Sequence, residues 1–292
     1  MNQIFYSKTE SRLRAGWRIA IFSSVALVAV ALFNLLSPTA YSTTVFLAVL
    51  MMALLWLASR FIDKRPFTEF GFNLSGRWFR DFAAGILIAA IAMSIIYGIL
   101  LWMGWVLVTD APEGSTQEVL TALLPALLLM TCVSIWEEAY FRGYLILNIK
   151  EGVHSRRIGN STAVLVAVVA SSLLFGMGHL NNPGATGIST LNLVVAGMVL
   201  AYPFIVTGNL ALPVGIHLSW NFCQGAIFGM PVSGNEFEYS MINSHLTGPE
   251  AFTGGSFGPE AGASGLLGLM ILVTLTEIYL SRFKKQDGII SE

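Results

Sequence analysis

The chain has 292 residues, a net charge of −1, 55% apolar residues and a mean hydropathy of +0.69, the profile of an integral membrane protein. It contains no nucleic-acid motif and no Gly-rich phosphate loop, and its two cysteines, Cys132 and Cys223, lie in apolar runs without CxxC or Cys/His spacing. Composition thus argues against a nucleic-acid partner, a disulfide framework and a structural zinc site.

In chain order, a polar, basic stretch from Met1 to Arg18 precedes a first apolar run, Ile19–Leu36, which exceeds the core of a signal peptide and reads as a retained span. Thr43–Ser59 is the second span. Arg60–Arg80 mixes Lys64, Arg65, Arg77 and Arg80 with Phe67, Phe70, Phe72, Trp78 and Phe79, the pattern of a segment lying at headgroup level. Phe82–Val106 and Glu118–Leu147 are spans three and four, separated by an acidic turn from Thr109 to Ser115. Ser161–Leu180, with a cap expected at Asn160, Ile188–Val206 and Leu210–Val232 follow. A Gly-rich loop, Ser233–Ser264, carries Glu236, Glu238, Glu250 and Glu260 before the last span, Gly265–Leu280. The expectation is one all-α polytopic membrane domain over 1–292, with about eight transmembrane helices. All 16 Lys and Arg residues fall on the tail, connections or span end that one side of such a bundle presents, so both termini are expected in the cytoplasm.

Within the fourth span, Glu137, Glu138 and Arg142 lie within six residues. Each ionisable group at mid-bilayer costs roughly 3 kcal/mol. Glu138 and Arg142, four apart, share a helical face and can pair, whereas Glu137 is turned about 100° away and needs a partner from another segment. The fifth span ends in Phe175-Gly-Met-Gly-His179, and the seventh contains His217-Leu-Ser-Trp-Asn221. His217 and Asn221 share one face, one turn beyond Pro213, where a kink is expected. Intramembrane polar groups face an interior cavity, so three spans are expected to converge on one site. Such a set supports peptide hydrolysis: a carboxylate as general base for water, with imidazole and amide groups donating to an oxyanion. Glu137, His179 and His217 could instead hold a zinc ion with an open water position.

In this order on successive apolar segments, Glu137-Glu138-xxx-Arg142, Phe175-xxx-His179 and His217-xxx-Asn221 resemble the CPBP intramembrane endopeptidases. These are relatives of the eukaryotic Ras-converting CAAX prenyl endopeptidase and of the bacterial Abi proteins. The resemblance covers about residues 120–232, within a core placed at 118–232, and the text around His179 and His217 is similar to the bacterial branch, implying a bacterial plasma membrane. It implies Glu137 as the water-activating base with His179 assisting, His217 and Asn221 as the oxyanion hole, and Glu138–Arg142 as a supporting ion pair. The substrate implied is a membrane-associated peptide or protein, and the route implied is metal-free, with zinc as the alternative. The rival reading is a non-catalytic scaffold or a proton-coupled carrier using the Glu/His cluster as a relay. At 1.5 Å per residue His217 lies roughly 10 Å from the inner end of its span and His179 roughly 28 Å, an offset that a single site must close.

Overall fold

The computed structural model describes residues 5–7, 11–36, 39–109 and 116–282, which form a helical bundle with two short two-stranded sheets, the first of them a hairpin. The first hairpin pairs β1 (Tyr6–Ser7) with β2 (Arg12–Leu13) and leads into α1 (Ala15–Asn34) and α2 (Ala40–Leu57). After α3 (Gly76–Trp102), β3 (Val106–Val108) precedes α4 (Thr116–Glu137). The latter continues without a break through a π-helical stretch, Glu138–Ile146, into α5 (Leu147–Val153). Helices α6 (Asn160–Met177), α7 (Gly187–Thr207) and α8 (Ala211–Phe222) follow, α8 ending in a π turn, Cys223–Ile227. The loop beyond carries β4 (Ser244–Leu246) and α9 (Glu250–Thr253), and α10 (Ala263–Ser281) closes the described chain. The acidic turn lies mostly outside the described residues, as do both chain ends, including Lys8, Lys284 and Lys285.

Among the described residues, seven helices are long and apolar enough to cross a membrane. Their outward faces carry side chains such as Leu27, Val49, Leu87, Leu165 and Met270, which meet lipid without penalty. The protein is therefore an all-α integral membrane protein. The expected seventh span is shorter than the others: the continuous helix from Ala211 to Ile227 falls below spanning length, and every residue from Ala211 to Asn221 is buried. A helix walled by protein on all sides needs no lipid-matched length.

Why α8 is short follows from the segment before α3. The aromatics of Arg60–Arg80 do not form a headgroup belt, because Phe70, Phe72 and Trp78 are buried in the core. Phe70 packs against Tyr144, and a Cβ at Gly143 would stand 2.7 Å from the Phe70 carbonyl oxygen. Gly143 lies ten residues before the end of α5, so this segment reaches about 15 Å inward along the helix. There the Gly71 carbonyl accepts from the Leu210 amide at 3.0 Å, and α8 begins recessed. Adding about 9 Å for the six residues to His217 brings it to about 24 Å, level with the far end of α6. The recess closes the offset that the sequence left open, without a kink. Pro213 falls in the first turn of α8, where no intrahelical N–H bond is lost. Asn160 is likewise not the cap of α6; Gly159 holds that position without a side-chain bond.

Helices α3 and α8 approach backbone to backbone through Gly85 and Gly215. A Cβ at Gly215 would lie 2.3 Å from the Phe82 carbonyl oxygen, and one at Gly85 2.5 Å from that of Leu212. Small residues permit this contact where lipid supplies no hydrophobic drive between helices. At the end where α1, α3 and α6 begin, Arg18 is fully buried and pairs with Asp63 at 2.7 Å and with Glu151, which also binds Arg65. Burial pushes the Asp63 carboxyl above its ordinary range, against the opposing pull of Arg18 and Arg65.

At the opposite end, the long loop is folded onto the bundle. Strand β4 pairs antiparallel with β3 (Val106↔Leu246), and the Tyr97 hydroxyl bonds Ser244 at 2.9 Å.

Candidate active site

The polar residues of α4 stand where the helix widens to π geometry, which opens one turn and frees carbonyls that need other partners. Ser171 of α6 supplies one, donating to the Phe141 carbonyl at 2.6 Å. Arg142 is 1% exposed; it donates to Glu138 at 2.8 Å and to the Gly197 carbonyl of α7 at 3.2 Å, with its guanidinium 4.4 Å from the centre of the Phe175 ring. It lies deep in the fourth span, not at the span end where the charge distribution alone had it.

Glu138, 0% exposed, is shared between Arg142 and His217: its Oε1 stands 2.8 Å from His217 Nδ1, and its Oε2 has no hydrogen-bond partner. A carboxylate accepts, so Nδ1 donates, which leaves His217 Nε2 for the other side of the ring. That nitrogen faces Glu137 Oε2 at 3.6 Å. Glu137 is 6% exposed, and its Oε2 likewise makes no hydrogen bond. The partner Glu137 needed is thus His217, brought in by the recessed α8.

His179 lies just past the end of α6. Its Nδ1 is 2.9 Å from the Phe175 carbonyl, which can only accept, so Nε2 carries the free lone pair. Asn221 stands one turn beyond His217 on α8 and is 7% exposed. Glu137, His179, His217 and Asn221 all line a single cavity of about 600 Å³, and Phe175 packs between His179 and His217. Glu138 and Arg142 stand behind it, reaching the cavity through His217. The structure thus gathers all six sequence-derived residues into one connected cluster.

Other polar residues of the cavity wall had gone unread. Glu260, from a short 3-10 turn in the long loop, accepts from the Ser233 amide at 2.5 Å and hydroxyl at 2.9 Å. Its carbonyl accepts from Asn192 of α7 at 3.0 Å, and Ser233 in turn accepts from Asn182, three residues past His179, at 2.9 Å. Burial pushes the Glu260 carboxyl up from its ordinary range, opposed by Ser233 and by the His179 and His217 rings. Asn192 could have been found as a polar residue inside an apolar span. Glu260 carried no such signal.

Among the described residues, no group of three His, Cys, Asp or Glu side chains is arranged to hold a metal ion. Glu137 Oε2 and His217 Nε2 stand 3.6 Å apart, while the Nδ1 of that ring is held by Glu138, an arrangement that leaves Nε2 as the ring atom turned toward Glu137.

No curated protein and no solved structure matches the chain. Residues 119–223, the stretch that brings together Glu137, Glu138, Arg142, His179, His217 and Asn221, match the family model described as type II CAAX prenyl endopeptidase Rce1-like, and the chain thereby carries an Rce1-like domain.

Proposed function

We propose that the protein is an intramembrane endopeptidase in which Glu137 activates water against a peptide bond held in the cavity. The observation that carries this reading is that Glu137, His179, His217 and Asn221 all line one cavity. Glu137 Oε2, buried and without a hydrogen-bond partner, is placed to take a proton from water. His179 Nε2 accepts the second hydrogen bond of that water and orients it. As the water attacks the carbonyl carbon, the carbonyl oxygen becomes an oxyanion. Asn221 and His217 Nε2 are the donors available to it. A ring that already donates from Nδ1 to Glu138 donates from Nε2 as well only as the imidazolium, so Glu138 is the residue that keeps His217 able to serve. Glu137 then passes its proton to the leaving amine, which restores the carboxylate.

No step above uses a metal; the route read here is metal-free, with a zinc ion on Glu137, His179 and His217 as the alternative. The Rce1-like match supports a membrane-associated peptide or protein as substrate. The grouping of basic residues where α1, α3 and α6 begin supports placing that end in the cytoplasm and the long loop outside. The decisive experiment is peptide cleavage by purified protein in detergent, with Glu137→Gln as the variant. The substitution keeps shape and hydrogen bonding but removes the base, so turnover should fall by roughly 10²–10⁴. Wild-type cleavage by a monodisperse Glu137→Gln protein would overturn the assignment.

A further inference from the structure

The cavity wall is electrically one-sided. Four carboxylates line it, Glu137, Glu236, Glu238 and Glu260, and among the described residues no Lys or Arg does. Glu236 and Glu238 are exposed at the mouth, and neither pairs with a cation among the described residues. The residue between them, Phe237, is anchored: it lies so close to Gly225 of the π turn after α8 that a Cβ there would stand 2.3 Å from its ring. The two flanking carboxylates are therefore held at the rim, with Tyr239 beside them. Deeper in, Glu260 is fixed by Ser233. A second observation belongs to the same space: Glu137, 94% shielded, lines it, and its Oε2 makes no hydrogen bond and stands 3.6 Å from His217 Nε2.

Carboxylates gathered around a cleft with low-dielectric walls focus negative potential and raise the local concentration of cations. A volume of about 600 Å³ is that of a site enclosing a molecule of a few residues. Building on the endopeptidase reading above, we propose that this acidic wall selects a cationic peptide, receiving a Lys or Arg side chain close to the bond to be cut, with Glu236 and Glu238 at the entrance and Glu260 within. The chemistry recognised is an ammonium or guanidinium group, which a free peptide amino terminus could also offer. The aromatic rim formed by Phe237 and Tyr239 suits the same charge through ring-face attraction.

The test is binding, read separately from cleavage. The full-length protein in a neutral maltoside detergent is titrated into three fluorescein-labelled octapeptides, followed by anisotropy. One alternates Lys with Ala, one replaces every Lys by norleucine, and both have blocked amino termini; the third is the norleucine peptide with a free amino terminus and a side-chain label. The Lys peptide should bind at least tenfold more tightly than its blocked norleucine counterpart. The difference should shrink as salt rises from 20 to 500 mM, and it should be lost in Glu236→Gln/Glu238→Gln, whose positions are exposed and do not support the fold. Glu260→Gln, which keeps an acceptor for Ser233, should weaken Lys-peptide binding by itself. Tight binding of the third peptide would assign the cation to the terminus and still support the site. Equal binding of the two blocked peptides, or a Lys preference untouched in both carboxylate variants, would overturn the proposal. Lys-selective binding without cleavage of any peptide would sink the endopeptidase reading and leave this one standing, whereas cleavage of both blocked peptides with equal kcat/KM would do the reverse.

Discussion

Replacing Gly215 by Ala tests whether the recessed seating of α8 governs the site. The added Cβ would lie 2.3 Å from the Phe82 carbonyl oxygen and 3.1 Å from the Ile86 amide, both backbone atoms that cannot rotate away. Reaching ordinary contact, which begins at 3.4 Å, requires α3 and α8 to part by about 1 Å. Overpacking of this kind costs about 1–3 kcal/mol. His217 follows two residues later, with Nδ1 2.8 Å from Glu138, so a shift of this size opens that bond and moves the ring from Glu137. A misplacement of about 1 Å can cost on the order of 10²-fold in rate. The assay is peptide cleavage normalised to the monodisperse fraction, alongside thermal unfolding in the same detergent. Gly98→Ala is the control: it also lies in α3, is exposed, and has nothing within 4 Å of the added methyl. That variant should keep full activity and gain about 0.5–1 kcal/mol from helix propensity. If Gly215→Ala matches Gly98→Ala in both rate and stability, the α3–α8 contact does not set the position of His217.

Four further outcomes are expected. Glu138→Gln strips the shared counter-charge from Arg142 and His217, and breaking a buried pair from one side costs about 3–5 kcal/mol, so folded yield should fall together with activity. Cleavage should survive EDTA in metal-free buffer, and near-stoichiometric zinc that is lost in His179→Ala would contradict the metal-free route. With both native cysteines replaced, Glu238→Cys and Arg156→Cys, at exposed positions on opposite ends of the bundle, should label from opposite sides of the membrane. Because burial raises the Glu260 carboxyl, the folded chain holds a proton that the unfolded chain releases in the ordinary carboxylate range. This contribution is therefore fully present below that range and fades as pH rises above it, and Glu260→Gln should flatten that decline as followed by denaturant titration.

The helical class, the charge asymmetry and the polar cluster could all be read from local pattern. An ionisable residue in an apolar run is conspicuous, and helical spacing sets which neighbours share its face; this was enough to single out Glu137, Glu138, Arg142, His179, His217 and Asn221. What stayed hidden depended on contacts distant in sequence. Phe70 and Phe72 among basic residues have the same local signature whether they float at headgroups or fold beneath a short helix. Only the close approach of Phe70 to Gly143 distinguishes the two. Pro213 looked like a kink although the seventh span was already begun at Leu210; a proline in the first turn costs no intrahelical N–H bond, and there it bends nothing. Glu260 sits 43 residues after His217 in a stretch without periodicity, and its place beside the site is fixed by Ser233, Asn192 and the β3–β4 pairing, none of which has a spacing rule.

The buried Arg18 has a consequence for how the chain is built into its membrane. Synthesis delivers α1 first, with Arg18 near its start, yet Asp63 emerges 45 residues later and Glu151 133 residues later. The Tyr144 hydroxyl that caps the Arg18 carbonyl at 3.0 Å also comes late. Until α5 has emerged, the guanidinium has to remain hydrated at the membrane surface, with α1 inserted but unlocked. Arrival of Glu151 lets Arg18 sink between its partners, and the first helix closes against the fourth. The same ion pairs that hold the finished bundle thus set the order of its assembly. A nascent chain halted with Glu151 still inside the ribosomal tunnel should show α1 crosslinking to lipid or to the insertion machinery, and one long enough for Val153 to have left the tunnel should show it crosslinking to Tyr144.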